Sequence, residues 1–278
     1  VYHRFENRLK CHYCGKRYKA LDVCPSCGSR DIKQGAVGTE RIVEELHKLF
    51  PDVRILRMDN DTTSKKNGHR EILNEFRNTK PAILVGTQMI AKGHDFEDVL
   101  LVGIIDADQS LYQSDYRSIE RTFQLITQVS GRAGRSSKQG KVILQTYSPK
   151  HYVYRYAVNY DYKGFFKKEI NLRKVTNFPP YARIIRVLFS HEDEKIVAQE
   201  CKVCYNKIKE IQNAYKDEFV YLDVMEAPLN KIKNKFRYQI MMRVKLAKAD
   251  EIEKKVFESV DEKCKSSVFF EINPNNLS

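Results

Sequence analysis

The sequence has little that would place it in or across a membrane. No apolar run reaches the ~18 residues that a spanning helix requires, and nothing at the start reads as a signal peptide. Internal repeats and low-complexity tracts are also missing, which leaves ordinary globular domains. The seven cysteines are too unevenly placed for a disulfide scaffold. There is no GxxxxGK[ST] phosphate loop. Gly134 to Lys141 ends in Gly-Lys, but five residues intervene and Val142 follows. The chain opens on Val1 rather than Met, inside patterned sequence, which predicts a piece of a longer polypeptide.

What is present is basic charge. Across 278 residues, 49 Lys and Arg face 36 Asp and Glu, a net +13. Residues 1 to 34 alone hold eight basic and three acidic side chains. Such an excess favours polyanionic partners, nucleic acid first; the competing reading is a basic but inert surface. The length suffices for two compact domains and a small appendage.

Three regions separate by pattern. Residues 1–34 are Cys-rich, with turn dipeptides Cys14-Gly15 and Cys27-Gly28. Residues 35–160 alternate helical and strand patterns. GTERIVEELHKLF spaces Ile42, Val43, Leu46, Leu49 and Phe50 along one helix face, with Thr39 as N-cap candidate. VRILRM, AILVG, VLLVGIID and KVILQTY read as strands between helices, which predicts a parallel sheet covered on both faces. Residues 161–278 change style after Pro179-Pro180, giving a β-α-β-β-α-β order that predicts an α+β, ferredoxin-like domain.

In an open parallel sheet ligands collect at the carboxyl ends of the strands. Three stretches fall there or follow. GTQMIAKGHDF offers Gly86 and Thr87 to a phosphate, and Gly93 with Asp95 to a ribose hydroxyl. The second stretch holds Asp106 and Asp108. The third is Gln128-x-x-Gly131-Arg132-x-Gly134-Arg135, two guanidinium groups three residues apart among glycines. Asp106 after an apolar strand imitates a magnesium-binding carboxylate, but without a phosphate loop it has no nucleotide metal to hold.

Together these stretches resemble motifs V and VI of the superfamily 2 helicases, in the second RecA-like lobe. The longer blocks GTQMIAKGHDFEDVLLVGIIDAD and ERTFQLITQVSGRAGR, with ENRLKCHYCG, FPPYARIIRVLFS and EINPNNL, are similar to the bacterial replication-restart helicases across essentially the whole chain. Glu97 stands where that family usually has proline, and Ser130 where alanine is common. The DExH box of the first lobe is absent here. The resemblance implies a 3′-to-5′ DNA helicase that recognises stalled forks and restarts replication by primosome assembly. It implies Arg132 and Arg135 reaching the γ-phosphate of ATP, with Gln128 bridging, and Gly93, Asp95 and Gly131 at the nucleotide. Gly86 and Thr87 would contact the DNA backbone. ATP with magnesium would be held mainly by the other lobe, so this chain alone should not hydrolyse it. The implied setting is the bacterial cytoplasm at the nucleoid, as a monomer without a membrane. The rival from another class is a non-catalytic nucleic-acid-binding module or a protein scaffold on a RecA-like fold.

The cysteines allow two arrangements. Cys11, Cys14, Cys24 and Cys27, spaced x2, x9 and x2, can form one tetrahedral zinc site. The family instead carries two zinc ions and further upstream cysteines, which implies that Cys11/Cys14 and Cys24/Cys27 serve different ions. Cys201 and Cys204 lie within an apolar-periodic helix and read as core thiols, as does Cys264. Tyr13 and Tyr18 interleave with Lys10, Lys16, Arg17 and Lys19, which suits either stacking on unpaired bases or a miniature core. Near the C-terminus, Lys231, Lys233, Lys235 and Arg237 alternate with apolar positions, like a half-exposed strand. There the resemblance implies DNA contact, and a pocket at Lys235 and Gln239 for the acidic tail of single-stranded DNA-binding protein. Lysine replaces the family's arginine at 235, which keeps charge but loses the bidentate fork.

Overall fold

The computed structural model describes residues 2–3, 8–10, 17–19, 22–24, 27–30, 38–59, 62–63, 68–91, 99–113, 115–131, 140–261 and 263–274. The chain forms two units: Lys33–Gln113 with Arg117–Phe165, and Val1–Ile32 with Ser114–Tyr116 and Phe166–Ser278. The N-terminal stretch contributes three short antiparallel strands, β1 (Tyr2–His3), β2 (Arg8–Lys10) and β3 (Arg17–Lys19).

The first of the two units contains α1 (Thr39–Leu49), β4 (Arg54–Met58), α2 (Gly68–Asn78), β5 (Ala82–Gly86), β6 (Leu101–Ile104), α3 (Asp108–Leu111), α4 (Ser118–Ser130), β7 (Lys141–Leu144) and α5 (Tyr152–Val158). The alternation is the expected one, and the pairing is parallel throughout. Among the described residues, however, the strands pair two and two, β4 with β5 and β6 with β7. A hydrophobic run identifies a strand without naming its neighbour, so sequence pattern alone could not decide this. One core gathers Phe123 and Ile126 of α4 with Val153, Tyr154 and Ala157 of α5, and the Phe123 ring stacks on Phe165 at 4.2 Å. A smaller core joins Met58 and Leu73, with Leu84 and Ile90 packed against it.

Thr39 does not cap α1. The N-cap position belongs to Gly38, which has no side chain to offer, and the Thr39 hydroxyl is used elsewhere, as described below. Helix α6 (Tyr162–Val175) then leads to β8 (Ala182–His191), α7 (Glu194–Ala214), β9 (Phe219–Ile232), β10 (Lys235–Lys245), α8 (Ala249–Glu258) and β11 (Ser267–Ile272). These four strands form one antiparallel sheet in the order β11-β8-β10-β9.

Alternation along β8 sends Ile185, Val187 and Phe189 to one face, where they meet Val197, Cys201, Cys204 and Ile208 of α7 and Ile252 and Val256 of α8. Each fully buried aliphatic side chain contributes about 1.5–3 kcal/mol. Helix α7 starts where it does because the Asp193 carboxylate accepts from the amides of Lys195 (2.8 Å) and Ile196. Burial raises the Cys201 thiol to about 12 and also raises Cys204, so both are protonated core side chains. On the other sheet face, Arg243 lies over the Phe178 ring at 4.3 Å and donates to the Thr176 carbonyl at 2.8 Å. That contact fixes the turn before the two prolines.

The loop entering β11 is tied to α7 by one carboxylate. Glu200 accepts from the Cys264 thiol (2.9 Å) and from the amides of Lys265 (2.8 Å) and Ser266 (2.9 Å). Desolvation opposes its ionisation, but these donors outweigh it and hold Glu200 at about 2, below the ordinary 4.5. A carboxylate depressed on folding stabilises the fold above its unfolded pKa and loses that contribution as pH falls through the folded one. Glu200→Gln should therefore lower the melting temperature at neutral pH, and the gap from wild type should close between pH 4.5 and about 2. A gap that stays constant over that range would show that the carboxylate's charge is not what ties the loop.

Candidate functional site

Strands β4 and β5 run in register, Met58 opposite Gly86, so the turns that follow them leave from neighbouring positions. Gly86 is required by that approach. A methyl group there would lie inside van der Waals distance of the Met58 carbonyl oxygen and press on the Ile90 side chain. Thr87 follows with its side chain exposed, and the chain turns at once into a short 3-10 helix, Gln88–Ala91. That turn packs against α4. The hydroxyl-bearing turn and the helix that leads to the paired arginines are thus brought together by the fold. Gln128 lies on the last turn of α4 with its side chain exposed, and Gly131 closes the helix by donating to the Thr127 carbonyl at 3.0 Å. Arg132, Arg135, Gly93 and Asp95 lie outside the described residues.

Two buried carboxylates hold this edge, and the sequence reading gave neither that role. Asp59, directly after β4, is 6% exposed. It accepts from the Thr39 hydroxyl (2.6 Å) and the Thr62 amide (3.1 Å), and it forms an ion pair with Arg57, whose Nε lies at 2.8 Å. Arg57 also reaches Glu40 at 2.7 Å. The start of α1, the end of β4 and the Thr62 turn therefore converge on one side chain. Burial works against the Asp59 charge, but the hydroxyl, amide and guanidinium donors prevail and lower its pKa. The signal in the sequence was Asp59 followed by Thr62 and Thr63, short polar side chains able to bond a nearby backbone.

Asp108 plays the same part after β6. It accepts from the Thr146 hydroxyl (2.9 Å), the Tyr147 amide (2.7 Å) and the Tyr154 hydroxyl (3.0 Å). Desolvation again pushes upward, the donors win, and the pKa is lowered. The tyrosine's own ionisation is pushed up to about 12, first by burial and then by the carboxylate beside it. Asp108 is a structural knot joining the ends of β6 and β7. Asp106 sits at a left-handed φ of 52° and takes the Gln145 side-chain oxygen on its amide.

Residues 174–275 match the family described as the primosomal protein N C-terminal domain, and residues 19–137 match the helicase conserved C-terminal domain. Replication restart protein PriA of Bacillus subtilis is 44% identical over 245 residues, covering 88% of this chain and 30% of the relative. The chain belongs to the PriA family. PriA of Borreliella burgdorferi is 37% identical over 275 residues, 98% of this chain and 40% of the relative. PriA of Synechocystis is 38% identical over 279 residues, 97% of this chain and 32% of the relative. The chain thus spans about a third of the length of the curated PriA relatives it matches.

For the zinc that the PriA family resemblance implies, the fit is partial. The Gly28 amide donates to the Cys24 carbonyl at 2.9 Å, with Gly28 at a φ of 69°. Cys24 and Cys27 would supply two of the four thiolates of a tetrahedral zinc site. Among the described residues no group of three or more possible ligands gathers, and Cys11 and Cys14 lie outside them. Among the described residues no helix is long and apolar enough to cross a membrane.

Asp59→Asn should accelerate amide exchange in β4 and at the start of α1, because the amide side chain cannot pair with Arg57. Protection in the antiparallel sheet of the other unit should be unchanged. Equal exchange in both proteins would remove Asp59 from its organising role.

Proposed function

We propose that this chain is the second motor lobe and C-terminal domain of a 3′-to-5′ DNA helicase that recognises stalled forks and reassembles the primosome. The observation that carries the reading is the packing of the Gln88–Ala91 turn against α4, within a chain that belongs to the PriA family. A motor of this type must couple a contact on the nucleic-acid backbone to a grip on nucleotide phosphate; Thr87 directly precedes the first of these elements, and Gln128 lies on the second with Arg132 and Arg135 following in sequence.

In this reading Thr87 donates its hydroxyl to a backbone phosphate, and Gly86 lets the main chain come close. Arg132 and Arg135 neutralise charge on the γ-phosphate. A guanidinium suits that position because it stays charged and its fork matches phosphate oxygens. Gln128 orients the attacking water or the arginines, and Gly93, Asp95 and Gly131 line the nucleotide. ATP with magnesium supplies the driving reaction and would be held mainly by a first lobe bearing the phosphate loop that this sequence lacks, so the chain alone is inactive as an ATPase.

Zinc on the paired cysteines would stiffen the Cys-rich region. The order β8-α7-β9-β10-α8-β11 supports the ferredoxin-like reading of the C-terminal domain. The acidic tail of single-stranded DNA-binding protein is assigned to Lys235 and Gln239. In support, the buried Gln239 amide oxygen has no partner among the described residues, nor has Nη1 of buried Arg186 on the same sheet face. Buried polar atoms left open in this way are uncommon and favour a binding role.

In a full-length family member carrying this sequence, Arg132→Ala or Arg135→Ala should lower DNA-stimulated ATP turnover about a hundredfold or more. Intact turnover in both variants would defeat the motor reading. Elemental analysis should find two zinc ions per full-length protein and fewer in this chain alone; two in this chain would mean that its own cysteines suffice.

A further inference from the structure

Sequence pattern treats Lys231 to Arg237 as one strand, but the structure folds it in two. β9 ends at Ile232 and β10 begins at Lys235, with Lys233 and Asn234 between them at φ values of 48° and 66°. Two successive left-handed residues make a tight two-residue hairpin turn. β9 is one free edge of the antiparallel sheet, and it is guarded. The register breaks between the pairs Phe236–Lys231 and Tyr238–Glu226, so Ala227 to Asn230 bulge from the ladder with Pro228 among them. Proline, lysine and a bulge are devices that keep a further strand from adding to an edge.

The other edge, β11, has none of them. Ser267–Ile272 holds no proline and no basic residue, and it follows β8 without a register shift. Its one charge, Glu271, is taken by Arg186. Just past the strand, the Asn273 amide donates to the Ile184 carbonyl at 2.8 Å. Antiparallel pairs alternate between bonded and non-bonded. Ser267, Phe269 and Glu271 therefore bond to β8, while Val268, Phe270 and Ile272 turn their N–H and C=O groups outward. Among the described residues no hydrogen bond reaches those outward groups.

The flank of this edge narrows what could add to it. A hollow of about 250 Å³ is lined by Asp250, Glu253, Lys254, Phe257 and Phe270. The Phe257 and Phe270 rings meet edge to face at 5.3 Å, and Phe257 is 65% exposed. Phe269, on the opposite sheet face, is 54% exposed, so bare aromatic surface borders the open main chain on both faces. In a chain of net charge +13, α8 carries four acidic residues against two basic ones. Asp250 and Glu253 share a single cation, Arg183. Open main-chain groups suit a strand, the exposed rings suit an apolar side chain, and the acidic excess suits a basic one.

We propose that the β11 edge docks a partner protein by strand addition. An extended segment alternating apolar and basic residues pairs antiparallel with Val268, Phe270 and Ile272. The residue opposite Phe270 shares its face of the sheet, which puts an apolar side chain at the hollow beside Phe257. The site needs neither nucleic acid nor nucleotide turnover, so it stands apart from the motor reading.

The test is fluorescence anisotropy of a labelled peptide of about eight residues, alternating leucine and arginine, titrated with this chain. A leucine opposite Phe270 aims its own N–H at β11, whereas the arginine N–H groups face away. Methylating the leucine nitrogens should abolish binding, and methylating the arginine nitrogens should leave it intact. Phe257→Ser should weaken binding about tenfold. Its melting temperature should stay near wild type, because most of that ring is exposed. Ile272→Pro, which removes an outward N–H and no bond to β8, should weaken binding to a similar extent. A leucine-methylated peptide that binds as well as the parent would reduce the attraction to charge and overturn the assignment. So would wild-type affinity in both variants, or a parent peptide that fails to bind at about 1 mM.

Discussion

Everything at the candidate motor edge follows from how closely two backbones approach. Met58 and Gly86 are opposite one another at the carboxyl ends of parallel strands, and the space between them admits only a hydrogen at the glycine. The turn bearing Thr87 begins at that point, so its position is set by main chain rather than by a flexible side chain. Asp59 then draws α1, β4 and the Thr62 turn together with donors on several sides. Asp108 ties off β6 and β7 in the same manner. A site that acts on phosphate needs rigid placement because its discrimination depends on geometry of a few tenths of an ångström.

The two units reach order by different means. Parallel pairs in the first are secured by buried carboxylates, each satisfied by hydroxyl, amide or guanidinium donors. The antiparallel sheet of the second is secured by an apolar face pressed on α7 and α8, and its opposite face is laid out with Arg186, Gln239 and Arg243. Charge near the surface is handled accordingly: Arg183 is paired with Asp250 and Glu253, while the lysines of the β9–β10 tip are left to solvent.

Much of this was legible in the linear order of residues. The alternation of helices and strands in the first unit, the succession of elements in the second and the core placement of Cys201 and Cys204 all follow from periodicity. Sequence singled out the glycine at 86 as a candidate phosphate contact, but the reason only a glycine fits there was not legible, because the Met58 carbonyl that excludes a methyl is 28 positions earlier in sequence. Thr39 misled for a related reason. Its identity suits a cap, but a buried carboxylate 20 residues away competes for the same hydroxyl and wins.

The sequence by itself determined the local grammar: which segments are extended, which are helical, and which short motifs present arginine, glycine and threonine in a pattern suited to phosphate. Periodicity and residue chemistry are properties of neighbours along the chain, and they survive without a fold. Tertiary structure alone decided which strands pair, which carboxylates turn inward, and that the lysine-rich run bends into a two-residue turn. Those outcomes depend on what a side chain meets across space, and nothing in the order of residues specifies that encounter until the chain has closed upon itself.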